Sequence, residues 1–464
     1  MIFILIEYIC GMKKILLSLV LLTFALFSAN AADYNIKKFG AVSDTTKYST
    51  KALQRAIDAC SAAGGGRVVV PTGSYKIGTI ILKSNVHLHL EHGATLYGST
   101  SLDDYTPLGT DFVSLRTHGT TVQLIYADKV ENVVIDGYGT IDGRGRNFPA
   151  KRGHDEGITR PHLLRFVQSK DIVVKDVTLR NAACWMQHYL ACDRVRIDGV
   201  KVYNRNHLNN DALDLDGCHD VVVTNFISDS DDDGITLKST SPRLCENITI
   251  SNCVISTHCN AVKMGTETTG GFRNININNI VVKPSENQKE KFCGRWNGIS
   301  AIALESVDGG VLENVNISNF TVEGTEAPIF IRLANRARKY KSDAPTPNVG
   351  SIRDVRISNI TVRNAGPTGS SITAIPGYYI EDVLLENISI HHKGGVTQKD
   401  ITDKWKDERI AKYPEGTAWK TLPAKGFFIR HARNIKFSNV KITTDAPDER
   451  PDFIEIDTFD VTVK

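Results

Sequence analysis

The chain has 464 residues, of which 41% are hydrophobic, 23% charged and 8% aromatic, proportions that exclude disordered, collagen-like and coiled-coil chains. Fifty-five basic residues against 52 acidic ones give a formal net charge of +3, so no bulk electrostatic signal points to nucleic acid. Thirty-six glycines against 15 prolines suit a chain rich in turns and strands.

Residues 1–31 read as an upstream extension and a secretory signal peptide. Met12, Lys13 and Lys14 form a basic start, residues 15–27 an apolar run, and Ala29-Asn30-Ala31 a small-residue cleavage pattern. The apolar run is shorter than the ~20 residues that cross a bilayer. The expectation is an exported protein, periplasmic or extracellular, with no membrane span and one domain over 32–464. Ala52, Leu53, Ala56, Ile57 and Cys60 fall at helical spacing, which predicts a helix over 49–62 with Ser49 or Thr50 as its cap. Gly64-Gly65-Gly66 stops it, and Arg67-Val68-Val69-Val70 opens strand structure.

From there the chain repeats itself. An apolar strand, a polar pair containing Asn or Gly, and a second apolar strand recur, as in Val195-Arg196-Ile197-Asp198-Gly199-Val200, Ile248-Thr249-Ile250-Ser251-Asn252-Cys253 and Val355-Arg356-Ile357-Ser358-Asn359-Ile360. The residue before the Asn or Gly, where present, stands at 198, 224, 251, 278, 318, 358, 386 and 438, giving gaps of 26, 27, 27, 40, 40, 28 and 52. A base period near 27, lengthened by insertions, marks a solenoid, and the alternating apolar residues mark strands. Each unit is too small to bury its own apolar face and must stack on its neighbours. The fold expected is all-β, a right-handed parallel β-helix whose end is closed by the short N-terminal helix. Asn at each bend tolerates left-handed backbone angles, and stacked Asn side chains can bond along the axis. A β-propeller calls for tight hairpin turns, and recurring Asn-Gly hairpins are missing.

Cys60, Cys184, Cys192, Cys218, Cys245, Cys253, Cys259 and Cys293 follow the leader. They are too few for a disulfide scaffold, and they form no CxxC pair or Cys–His spacing of a zinc site. Most are expected to be buried as small hydrophobes.

The chemistry concentrates in residues 204–267. Asp211, Asp214, Asp216, Asp229, Asp231, Asp232 and Asp233 lie within 23 residues, beside His207, Asn209 and Asn210. The 21-residue gap from Asp211 to Asp232 is close to one coil, and adjacent coils are roughly 5 Å apart. Acids placed side by side on one face raise at least one pKa, which suits a proton donor beside a base. Glycoside hydrolysis requires such a pair. A calcium site or a solvated turn is the alternative. A polar insertion over 400–423 carries Trp405, Tyr413 and Trp419, residues that either flank a sugar cleft or pack on the scaffold.

These residues resemble glycoside hydrolase family 28, the polygalacturonase family of pectin-degrading parallel β-helices. Phe39-Gly40-Ala41, Gly64-Gly65-Gly66, Trp185, Asn209-Asn210-Asp211, Asp214 and Asp232-Asp233 carry the resemblance. It implies an inverting hydrolysis of a pectic or related acidic polysaccharide without a cofactor or a catalytic metal. Asp232 is then the general acid, with Asp211 and Asp233 holding and activating water, and Asn209 at the substrate. The chain departs from the family twice. Asn260 stands where the family has histidine, which makes His258 the expected replacement and puts Asn260 and Lys263 at the substrate. The family's Arg-Ile-Lys run corresponds to residues 298–305 without either cation; Glu305 there is expected to repel a uronate, and Arg332 or Arg295 is expected to supply the missing charge. A β-helix polysaccharide lyase and a non-catalytic carbohydrate-binding solenoid are the rival readings.

Overall fold

The computed structural model describes residues 33–116, 120–149, 157–205, 207–288 and 296–464. The signal-peptide assignment, Cys293 and Arg295 lie outside these residues. Parallel strands stack coil upon coil into three faces. One face runs from Gln123–Asp128 through His162–Val167, Gln187–Leu190, Leu213–Asp216, Ile235–Ser239 and Asn260–Thr268 to Ser300–Ser306. The second runs from Gly66–Val70 through Val86–Leu90, Glu131–Gly137 and Lys170–Lys175 to Asp193–Asp198 and beyond. The third holds short strands such as Thr178–Arg180, Lys201–Asn204 and Ile227–Ser230. The chain is a parallel β-helix.

The register confirms the repeat read from the sequence. Val195, Val221, Ile248, Ile275, Val315, Val355, Val383 and Ile435 stack in one column, and all eight are buried. Their spacings are the same 26, 27, 27, 40, 40, 28 and 52 residues. At the bend that follows, Asn252, Asn279, Asn319, Asn359, Asn387 and Asn439 all have φ between 54° and 59°. Each later Asn donates its Nδ2 to the Oδ1 of the one before, at 2.8–3.2 Å. This ladder offsets the cost of left-handed backbone at a residue with a Cβ.

The helix Thr50–Ala62 closes the first coil with Ala52, Leu53, Ala56, Ile57 and Cys60 turned inward. Its capping differs from expectation. Ser49 occupies the N-cap, yet its hydroxyl contacts the Val42 backbone and makes no cap bond. Thr50 Oγ1 accepts from the Gly78 amide. These side chains fasten the helix to neighbouring turns, because packing on the coil outweighs a local cap. Cys60, Cys192, Cys218, Cys245 and Cys253 are buried thiols within the main core. Among the described residues no helix is long and apolar enough to cross a membrane.

Candidate active site

The site lies where three successive coils enter the first face. Ala212 N donates to Asp233 O at 2.9 Å, and Gly234 N donates to Asn260 O at 2.8 Å. The coil is therefore 22 residues long at this point, not 21: Asp233 stands level with Asp211, and Asp232 lies one residue back, in the bend. Ser230 Oγ donates to the carbonyls of Asp232 and Asp233 at 2.9 and 3.1 Å, and Thr257 Oγ1 also donates to Asp232 O. Those bonds fix the bend that carries both acids.

Each acid has a different environment. Asp233 Oδ1 accepts from the Asn260 backbone at 3.0 Å and from Asn260 Nδ2 at 2.8 Å, while Oδ2 lies 2.9 Å from Lys263 Nζ. Burial works to raise the Asp233 pKa, but the charges of Lys263 and Lys238 and these hydrogen bonds hold it below the ordinary carboxylate value. Among the described residues no cation forms an ion pair with Asp232. Burial, reinforced by the charges of Asp211 and Asp233, pushes it well above the ordinary range. Burial raises Asp211 to about 6 against the pull of Lys238. The trio thus pairs an acid whose pKa is pushed up with a neighbouring carboxylate whose pKa is held down, the separation that acid–base hydrolysis uses.

Lys238 organises the adjoining acids. Its Nζ is 3.3 Å from Asp214 Oδ1, 3.5 Å from Asp211 Oδ2 and 3.6 Å from Glu267 Oε2, and 4.6 Å from the Trp185 ring centre. Burial would discharge this lysine, but Asp214, Glu267 and Asp211 outweigh it and raise its pKa. Glu267 also meets Arg116 at 3.3 Å and Arg338 at 3.4 Å, and Arg116 lies over the Trp185 ring. Beyond Lys263, the Tyr413 hydroxyl is 3.3 Å from Nζ, and buried Glu305 is raised to about 8 by its burial.

The structure brings Asp211, Asp232, Asp233, Asn260 and Lys263 together, with both Asn260 and Lys263 directed at Asp233. Three other expected residues have partners outside this group. His258 sits in a bend after the strand ends at Thr257, and its Nδ1 faces Asp231 Oδ1 at 3.1 Å. Asn209 Oδ1 accepts from Arg160 at 3.0 Å. Arg332 is turned to the carbonyls of Thr373, Ala374 and Glu408 and lies over Trp419. It pins the 400–423 insertion to the coils, and the missing cation does not come from there.

Sequence reasoning passed over Lys238, Glu267, Arg116, Arg338 and the role of Tyr413. Lys238 and Glu267 were within reach, being charged residues inside strands whose other members are buried. Arg116, Arg338 and Tyr413 arrive on loops with no local signal. One oxygen each of Asp232 and Asp233 and the Cys259 sulfur lie within 4.8 Å of one another, a grouping with metal-ligand character. Lys263 already supplies a positive charge to it.

The model for glycosyl hydrolases family 28 matches residues 60–408. A "Probable polygalacturonase" of Vitis vinifera is 24% identical over 87% of this chain and 83% of its own length. An "Exo-poly-alpha-D-galacturonosidase" of Dickeya chrysanthemi is 25% identical over 80% of this chain and 68% of its own. Among solved structures, a family 28 exopolygalacturonase of Yersinia enterocolitica shares the fold at a TM-score of 0.69 and 20% identity, covering 94% of this chain and 79% of that one. With this family model over most of its length, the chain belongs to glycosyl hydrolases family 28 and is a glycoside hydrolase.

Proposed function

We propose that the protein cleaves galacturonate linkages of a pectic polysaccharide with inversion, outside the cytoplasm. Asp232 protonates the leaving oxygen, while Asp233 and Asp211 hold the attacking water and take its proton. The observation that carries this reading is the opposed environment of neighbouring acids: Asp233 is gripped by Lys263 and Asn260, whereas burial and the like charges of Asp211 and Asp233 push the Asp232 pKa up. Arg116 and Arg338, each partly exposed and converging on Glu267, are the cations available to a uronate carboxylate in place of the absent Arg-Ile-Lys run. Export is supported by the signal-peptide pattern of residues 12–31, and action at chain ends by the names of the relatives.

The lyase reading is disfavoured on chemistry. Elimination at a uronate needs a neutral lysine or arginine as base, and both cleft lysines are held protonated by their carboxylate neighbours. Incubation with oligogalacturonides of defined length distinguishes the readings. Hydrolysis yields saturated products one unit shorter together with free galacturonate. An ultraviolet-absorbing unsaturated product indicates elimination, and binding without new reducing ends indicates a carbohydrate-binding solenoid; either overturns the proposal.

A further inference from the structure

On the second face, away from the cleft, the coil register assembles a cluster that local spacing could not reveal. Val86, Leu88 and Leu90 point into the core, which turns His87 and His89 outward on the same strand. His89 stands level with Asp136 of the next coil, 47 residues later, and His87 two positions away. Both imidazoles lean onto one atom: His87 Nε2 is 2.7 Å and His89 Nδ1 2.6 Å from Asp136 Oδ1. The rings stand at 86° to one another with centres 5.7 Å apart, so they converge on the carboxylate as a fork and do not stack. One ligand atom from each of the three residues lies within 4.8 Å of the others.

All three side chains are partly exposed, at 33% and 26% for the histidines and 26% for Asp136. An ion can therefore enter from solvent and keep water as its remaining ligand. The nearby cation Arg67, level with His87 on the coil before, is neutralised by Asp33 at 2.6 Å.

We infer that His87, His89 and Asp136 form a binding site for a borderline divalent transition metal, Zn2+ foremost, that clamps two adjacent coils near the N-terminal end. Two imidazole nitrogens and one carboxylate oxygen are a donor set for zinc and its neighbours, whereas calcium prefers six to eight oxygens. Donor atoms around a tetrahedral zinc with bonds of about 2.0–2.2 Å stand roughly 3.4 Å apart. The present N–O separations have only to open by less than an ångström as the ion replaces the two ring protons that bridge to Asp136. Because the folded coils alone bring the three ligands together, the ion binds the native state and stabilises it.

The test uses the full mature chain without an affinity tag, stripped with chelator, and titrated with ZnCl2 by calorimetry and with CoCl2 by visible absorption. The expected result is one Zn2+ per chain, a rise in melting temperature with added Zn2+ but not Ca2+, and the intense bands of four-coordinate Co2+. His87→Ala/His89→Ala should lose the bands and the thermal shift. Asp136→Asn, which keeps the size of the side chain, should weaken Zn2+ uptake at least tenfold. Glycosidase activity and far-ultraviolet circular dichroism of both variants should match the parent, since the cluster lies on a different face from the cleft. Failure of the parent to take up Zn2+, or equal uptake by correctly folded variants, overturns the inference.

Discussion

Lys263 and Asp233 form a buried ion pair across adjacent coils, Nζ to Oδ2 at 2.9 Å. Asn260 occupies the other carboxylate oxygen through two hydrogen bonds. Breaking a buried pair from one side leaves an uncompensated charge, which the group relieves by taking a proton. Lys263→Met should therefore raise the Asp233 pKa. In the parent, kcat/KM should fall as pH drops through about 6, where Asp211 becomes protonated. In the variant that acid limb should move to higher pH and the maximum should drop at least a hundredfold. Lys263 also draws the Asp211 pKa down, so the limb reports both acids; a pH–rate profile with the limb at the parent position would contradict the coupling of Lys263 to this acid pair.

Asp232→Asn should lower kcat by about 10²–10⁴, the usual range for a general acid. Circular dichroism should be unchanged. Because burial and the charges of Asp211 and Asp233 raise the Asp232 pKa on folding, losing its proton costs more in the folded than in the unfolded chain, which lowers stability as pH rises above the ordinary carboxylate range. The variant should consequently melt at or above the parent temperature at pH 7, a combination that simple misfolding cannot produce.

Glu305 gives a cleaner linkage measurement. Its folded pKa of about 8 lies above the ordinary glutamate value of 4.5. Between those values the native state binds more protons than the unfolded state, so stability falls as pH rises across that window. Glu305→Gln removes this slope. Its stability relative to the parent should grow from pH 5 to pH 8 and then level off in urea titrations at fixed pH steps.

The asparagine ladder should carry measurable stability at each rung. Asn319 donates to Asn279 and accepts from Asn359, at 3.1 and 3.0 Å, with φ at 59°. Asn319→Ala removes both bonds and leaves a Cβ in left-handed backbone, a loss of about 1–3 kcal/mol. Asn319→Gly loses the same bonds without the backbone strain and should cost less. Chemical denaturation of the two variants measures the difference.

Much of the fold was legible because a solenoid writes its geometry into sequence spacing. The gaps between Val195, Val221, Ile248 and their successors in the motif are the gaps of the stacked column itself. The acid cluster was legible for the same reason. What failed did so where local pattern and backbone part company. The 22-residue coil that sets Asp211 level with Asp233 depends on how the bend at 230–234 is held by Ser230 and Thr257, which no periodicity reports. His258 is two positions from Asn260, but the strand breaks between them and turns it to Asp231. Arg332 carries the charge that a uronate wants, but its donors are taken by the carbonyls of Thr373 and Ala374 on the next coil and of Glu408 on the 400–423 insertion. Of the three aromatics on the 400–423 insertion, Trp419 packs on the scaffold while Tyr413 is 52% exposed beside Lys263.

The stereochemistry of the product tests the division of labour among the three acids most directly. One oxygen each of Asp232 and Asp233 lies within 4.8 Å of the other, nearer than the roughly 6.5–9.5 Å between carboxyl groups common in inverting enzymes and compatible with the ~5 Å of retaining ones. Proton NMR of the first product released from an oligogalacturonide, recorded before mutarotation, separates the two. A product anomer opposite to the cleaved bond is the expected result, with water held by Asp211 and Asp233 as the nucleophile. A retained anomer would make Asp233 a covalent nucleophile and contradict the roles assigned here.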